Sequence, residues 1–282
     1  VTVGGMGNVA SGDGAAAISG YYNKVGGTSA TAVGGMNNTA SGLNSTTLGG
    51  TLNQATYSGA ATVGGYSNTA SNQYAITVGG AGNVASGDGA AAISGYYNKA
   101  SGISSTAVGG MYVEASGTNS LVEGGVSNKA TGNSAVVVGG GYYSDDTYQM
   151  LGNNTAAGDG SVILGGVNNA TTAKAKNSVT LGSGNYVSSD GGLAIGGATV
   201  YDTNGIAIGR QAVLNENVAK RENEDVISFG HVSGDTYWNG TALVTDPGAH
   251  YTRLINVADG SDDHDVVVIE QLKQAFASSE YK

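Results

Sequence analysis

The chain has 282 residues, among them 50 Gly, one Pro, no Cys and only 11% charged side chains. A formal net charge of −10 argues against nucleic acid and against docking on an anionic membrane, which both need a basic footprint. The lack of Cys excludes disulfides and thiol chemistry. The 40% hydrophobic content is mostly Ala and Val, side chains too small to fill a thick core. Either backbones approach one another closely, or several chains share one core.

In chain order, the first feature is a duplication. Residues Val3–Lys24 recur as Val78–Lys99, with Met6 replaced by Ala81. The 75-residue offset is five steps of a 15-residue period. Small residues mark it at Gly4, Ser19, Gly34, Gly49, Gly64, Gly79, Ser94, Gly109, Gly124 and Gly139. Asparagine keeps the same phase at Asn8, Asn23, Asn38, Asn53, Asn68, Asn83, Asn98 and Asn128, with Val113 the exception. A third marker is Gly12, Gly27, Gly42, Gly87, Gly102, Gly117 and Gly132. A fixed period of this kind signals a solenoid. The unit Thr31–Ser45, TAVGGMNNTASGLNS, holds two short β-prone stretches separated by Gly and Asn, with no segment long enough for a helix. It predicts strand, turn, strand, turn, with the fixed-phase glycines at corners of positive φ. About fourteen such rungs between Val3 and Gly209, stacked in parallel at ~4.8 Å, would make a rod roughly 60–70 Å long.

Beyond Gly140 the period breaks. Gly139 to Gly165 spans 26 residues, one period plus an 11-residue insertion within 141–157. Val226–Gly230 reads as a last strand. The remainder, from His231, holds the only Pro, the only Trp and all three His. Near its end Ile269, Leu272 and Phe276 fall at spacings of 3 and 4, the start of a helical seam with Asp265 as N-cap. There is no apolar run of 18 residues and no signal peptide. Val1 falls inside a repeat, so the chain reads as part of a longer one.

Two stretches carry a family resemblance. Asn177–Asn185, NSVTLGSGN, resembles the head repeat of trimeric autotransporter adhesins with a YadA-like head. Arg253–Lys273, RLINVADGSDDHDVVVIEQLK, resembles the neck of the same family, with Asn256, Val257, Ala258, Gly260, Asp265, Val267, Gln271, Leu272 and Lys273 in place. The resemblance implies an all-β, left-handed parallel β-roll over 1–230, a neck over 231–265 and the start of a trimeric coiled coil over 266–282. It further implies three chains around one axis and display on the bacterial outer membrane through a C-terminal anchor outside this sequence. Trimerisation also has a direct warrant, because one roll of Ala, Thr and Val buries little apolar surface alone. Ile269, Leu272 and Phe276 are the expected trimer contacts.

Few residues suit chemistry. The Gly79–Val84 stretch lacks the Lys and the helix of a phosphate loop and reads as a structural corner. Asp259, Asp262, Asp263, His264 and Asp265 have the density of a metal site but read as a solvated loop and helix cap. With no His in the rungs, acid–base or nucleophilic catalysis has little to work with. The period matches neither the long rungs of β-helix lyases nor the six-residue repeat of acyltransferases, so no enzyme and no cofactor is expected. Glu123 stands where Val33, Leu48, Val63, Val78, Val108 and Val138 stand in other rungs. If that position faces the core, three carboxylates would meet near the axis unless paired or protonated; the other reading is a bulge that turns Glu123 outward, with the Val113–Glu114 irregularity one rung earlier extending the distortion. The expected ligand contacts are Tyr21, Tyr22, Tyr96 and Tyr97 in the rungs and Tyr142, Tyr143, Asp145, Asp146 and Tyr148 in the insertion, since Tyr supplies amphipathic contact area at low entropy cost. The reading is a non-enzymatic adhesin head that attaches to host cells, matrix or neighbouring bacteria. The competing reading is a spacer whose adhesive tip lies elsewhere.

Overall fold

A computed structural model describes residues 1–144, 149–214, 227–230, 235–239, 242–245, 247–249, 269 and 271–274. The chain divides into two compact units, Val1–His250 and Tyr251–Lys282. The first is a parallel β-solenoid of about 14 turns. Strands of mostly three residues build a 15-stranded sheet, and two-residue strands build a 14-stranded sheet. Each strand pairs with its equivalent one period on, as in Thr31↔Thr46, Ala32↔Thr47 and Val33↔Leu48. A third line of pairing, one residue deep, runs through Met6, Tyr21, Met36, Thr51, Tyr66, Ala81, Tyr96, Met111 and Val126. The 15-residue period is therefore a literal rung.

The rung shows why the sequence is so small-sided. In Thr31–Ser45 only Ala32, Asn38, Ala40, Gly42 and Ser45 are buried. The interior is a filament of stacked Ala, Asn, Ser and Thr, with Ala55, Ala70, Ala85, Ala100 and Ala115 among the residues of its main apolar cluster. Backbones approach closely, so dispersion contacts form without large side chains. The bigger apolar residues point the other way. Val33, Leu48 and Val63 are 37%, 41% and 37% exposed, and Leu164 and Leu181 continue the stripe at 40% and 46%.

That orientation corrects the expectation for Glu123. Its column faces outward in every rung, so no bulge is needed. Glu123 is exposed and stays in register with Val108 and Val138. The rung before it is equally regular. Val113 is buried, and Glu114 pairs in register with Lys99 and Lys129, whose ammonium groups lie 4.0 and 3.8 Å from its carboxylate. Pairs this exposed contribute little to stability.

A second correction concerns the third glycine marker. Gly27, Gly42 and their equivalents keep φ outside the left-handed region. They are small because the next rung's backbone lies where a Cβ would go. The true corners are the Gly34–Gly35 pair and its repeats, with Gly79 at φ 64° and Gly80 at φ 71°.

The buried asparagines form a ladder. The Asn68 Oδ1 accepts from the Asn83 backbone N–H at 2.9 Å, and the Asn68 backbone N–H donates to the Asn53 Oδ1 at 3.0 Å. Its Nδ2 donates to the carbonyls of Gly79 and Gly80 at 3.1 and 3.2 Å. Each side chain thus adds donors to the corner carbonyls, and the Gly80 carbonyl also accepts from the Tyr66 backbone N–H at 2.9 Å. The ladder crosses the insertion, since the Asn154 backbone N–H donates to the Asn128 Oδ1 at 3.1 Å. It continues through Asn169 to Asn185, whose Oδ1 accepts from Gly197 and Ala198.

One inner column is less well satisfied. The hydroxyls of Thr47, Thr62 and Thr77 are buried without a hydrogen-bond partner among the described residues. Val122 and Val137 occupy the same column in later rungs. An unpaired buried hydroxyl costs about 1–3 kcal/mol, and Val has nearly the same shape as Thr. Thr62→Val is expected to stabilise the head by about 1–2 kcal/mol, read as a raised urea midpoint.

The insertion forms a hairpin, with Tyr142–Ser144 antiparallel to Gln149–Leu151. The solenoid then resumes with Lys129↔Thr155, without loss of register. Ile227–Ser228 is the last strand of the larger sheet. Thr236–Trp238 and Leu243–Thr245 make a second hairpin within the first unit. In the second unit 269 and 271–274 are helical, with Ile269 and Leu272 73% and 50% exposed. Phe276, the acidic cluster from Asp259 to Asp265, and the expected cap lie outside the described residues.

Candidate binding surface

The rung side that carries the single-residue bridges also carries most of the exposed tyrosines. Tyr21 and Tyr96 sit in that bridge line, and the residue after each, Tyr22 or Tyr97, turns the corner with φ of 52° and 51°. At this corner the side chain leaves the rung while the following Asn23 or Asn98 turns inward. All four tyrosines are exposed, from 45% for Tyr96 to 56% for Tyr22. The left-handed region costs a non-Gly residue roughly 1 kcal/mol, least for Asn. Other rungs place Asn37, Ser67 or Ser127 there. Tyr at this corner is therefore a choice that folding alone does not favour.

The rings are organised. Tyr97 and Tyr112 stack with centroids 5.5 Å apart and planes 6° apart. Tyr96 meets Tyr97 edge-on at 4.4 Å and 83°. Tyr112, also at positive φ, was not among the expected contacts, although it stands one period after Tyr97 and could have been found by phase. Behind Tyr97 lies Gly82, where any Cβ would strike the ring; Gly7 and Tyr22 repeat the arrangement. The Tyr96 phenol is held above its ordinary range first by the adjacent Tyr97, then by lost hydration, a hydrogen bond with Tyr97, and Tyr112. The cluster offers ring faces, ring edges and hydroxyls. The Tyr22 corner lacks the third ring, because the next rung has Asn37 where Tyr112 stands.

The expected contacts in the insertion are only partly placed. Tyr142 and Tyr143 lie in the first hairpin strand, whereas Asp145, Asp146 and Tyr148 fall outside the described residues.

A second aromatic group lies at the far end of the solenoid. Tyr186 stacks on Trp238 at 5.5 Å and 25°, and Tyr201 leans on Tyr186 at 6.0 Å. The Tyr201 hydroxyl donates to the Thr236 carbonyl at 3.0 Å, and the Trp238 Nε1–H donates to the Asn168 carbonyl at 2.8 Å. Burial, then Tyr186 and Asp235, push the Tyr201 phenol up to about 12. These contacts fasten the second hairpin to the rungs. The only sequence hint was that Trp238 is the sole Trp.

Among the described residues no three His, Cys, Asp or Glu side chains converge as metal ligands, and no helix is long and apolar enough to cross a membrane. The fold defines the chain as a parallel β-solenoid. No family model matches it, and no curated protein matches it significantly.

Proposed function

We propose that the chain is a non-enzymatic adhesive head displayed on a bacterial surface, which works as a homotrimer and holds a glycan or matrix protein through its tyrosine corners. The observation that carries this reading is the exposed Tyr96–Tyr97–Tyr112 cluster, in which Tyr97 and Tyr112 hold positive-φ corners where Asn fits the backbone better. Costly local choices that folding does not require are a mark of function. Beads coated with the head are expected to lose adhesion to host cells several-fold when Tyr97 and Tyr112 are both replaced by Ser, with unchanged circular dichroism. Equal adhesion with intact folding would favour a spacer.

The homotrimer is supported by the exposed stripe of Val33, Leu48, Val63 and their equivalents, an apolar ladder broken only at Glu123 among the described rungs and of a kind that soluble surfaces rarely leave uncovered. Three copies packed through this face around an axis would share the apolar burial that one narrow rung lacks. Sedimentation of the 282-residue chain is expected to give a trimer, and Leu48→Glu together with Val63→Glu to give a monomer. A folded wild-type monomer at micromolar concentration would falsify the trimeric part. Many trimers on one cell would then make weak tyrosine contacts hold by avidity.

A further inference from the structure

We propose that a groove between the last regular rungs and the Thr236–Trp238 strand binds a carboxylated sugar. The groove encloses about 470 Å³, within the range of small-ligand sites. Its floor is bare backbone. A Cβ on Gly184 would reach the Gly197 Cα at 3.8 Å, and one on Gly196 would meet nothing within 4 Å. Stacked glycines on successive rungs leave a shallow trough into which a ring can descend. One wall is aromatic, made by Tyr237 and Trp238.

The indole is pinned before any ligand arrives. Its Nε1–H is committed to the Asn168 carbonyl, its backbone N–H donates to the Thr199 Oγ1 at 2.9 Å, and Tyr186 stacks on it. Tyr186 does not line the groove, so the indole stands between the two. A rigid aromatic wall is what the apolar C–H face of a sugar ring packs against at little entropy cost.

Charge selects the kind of sugar. Among the described residues Arg210 is the groove's one ionised side chain, and no acid lines it. Arg210 is exposed and has no ion-pair partner among the described residues, in a chain whose net charge is −10. A planar guanidinium in a fixed trough pairs with a carboxylate through two parallel hydrogen bonds. The surrounding lining is polar but uncharged, with Asn168, Ser183, Gln211 and Asn239, the chemistry that meets sugar hydroxyls. A uronic-acid ring meets all three features together: C–H face on the aromatic wall, hydroxyls on the amides, carboxylate on Arg210.

This site is separate from the tyrosine corners and does not rest on the adhesive reading. Its test uses the chain's single tryptophan as the reporter. The folded 282-residue protein would be titrated with a disaccharide ending in glucuronic acid, with the counterpart ending in glucose, and with the counterpart ending in glucose 6-sulfate. A saturable change in Trp238 fluorescence is expected with the glucuronate, and binding at least about tenfold weaker with the neutral sugar. Arg210→Gln should weaken glucuronate binding by about tenfold and remove the preference over glucose, while Lys24→Gln, on a distant rung, should change neither. No saturable change at millimolar glucuronate, equal affinity for the neutral sugar, tighter binding of the sulfate, or an equal effect of Lys24→Gln would each overturn the assignment.

Discussion

Gly80→Ala is expected to disrupt the solenoid locally and lower head stability by at least about 3 kcal/mol, whereas Gly79→Ser should cost less than about 1 kcal/mol. The two glycines are adjacent and both have positive φ, at 71° and 64°. They differ in what surrounds them. A Cβ at Gly80 would collide with the Gly95 carbonyl oxygen of the next rung and the Asn83 amide of its own, whereas one at Gly79 would meet nothing within 4 Å. The chain already makes the tolerated change, placing Ser19 and Ser94 at the Gly79 position with φ of 57° and 51°. The Gly80 position stays glycine in Gly5, Gly20, Gly35, Gly50, Gly65, Gly95, Gly110 and Gly125. Urea midpoints of both variants check the difference. Hydrogen exchange should place the damage in the rungs touching residue 80, since each rung contacts chiefly its neighbours. Equal midpoints for the two variants would show that close stacking at the corner is unimportant.

The Asn ladder supports the second large effect. Asn68→Ala removes the acceptor for the buried Asn83 N–H and one donor to the Gly79 and Gly80 carbonyls at the corner. Only the Asn83 N–H is then left buried and unpaired, because the Gly79 and Gly80 carbonyls still accept from the Asn83 Nδ2 at 3.2 Å and the Tyr66 N–H at 2.9 Å, so the cost should be about 1–3 kcal/mol. The reverse change is available in the same molecule. Val113 interrupts the ladder and offers no acceptor to the Asn128 backbone N–H, although its own N–H still donates to the Asn98 Oδ1 at 3.0 Å. Val113→Asn is therefore expected to stabilise the head by about 1–2 kcal/mol. A thermal melt that moves down for Asn68→Ala and up for Val113→Asn supports the ladder as a stabilising element. A drop in both would mean that the asparagines only fill space.

Much of this architecture was legible from spacing. The period of 15, the two strands per rung, the 11-residue insertion and the last strand all match parallel pairings in the structure. What spacing could not supply was the direction each position faces. In a three-residue strand such as Thr31–Val33 the outer two side chains share one side and the middle one takes the other. The intuition that Val is inside and Ala indifferent puts Val33 in the core. The rung interior accepts only Ala32, so Val33 faces out, and Glu123 in the same column needs no special device. Asn154, Asn169 and Asn185 escaped the marker series because the insertion and the irregular later steps shift their phase, although the ladder runs unbroken from Asn128 to Asn185. The groove at Arg210 and Trp238 joins residues 28 positions apart through a hairpin that no period describes. Long-range convergence of that kind leaves no local signal.

The in-register pairing has a consequence for how such a chain can change over generations. Because a rung meets its neighbours through the same bridge pattern wherever it stands, a gene segment encoding one period can be copied or lost without creating a mismatched junction. The near-identical blocks Val3–Lys24 and Val78–Lys99, five rungs apart, have the form that such an event would leave. Each gain or loss would move everything beyond it by about 4.8 Å, or by about 24 Å for a five-rung block. A lineage could thus adjust how far a surface feature stands from its point of attachment in small, equal increments. Each block of this type would also bring its own tyrosine corner, so reach and the number of contact points would rise together.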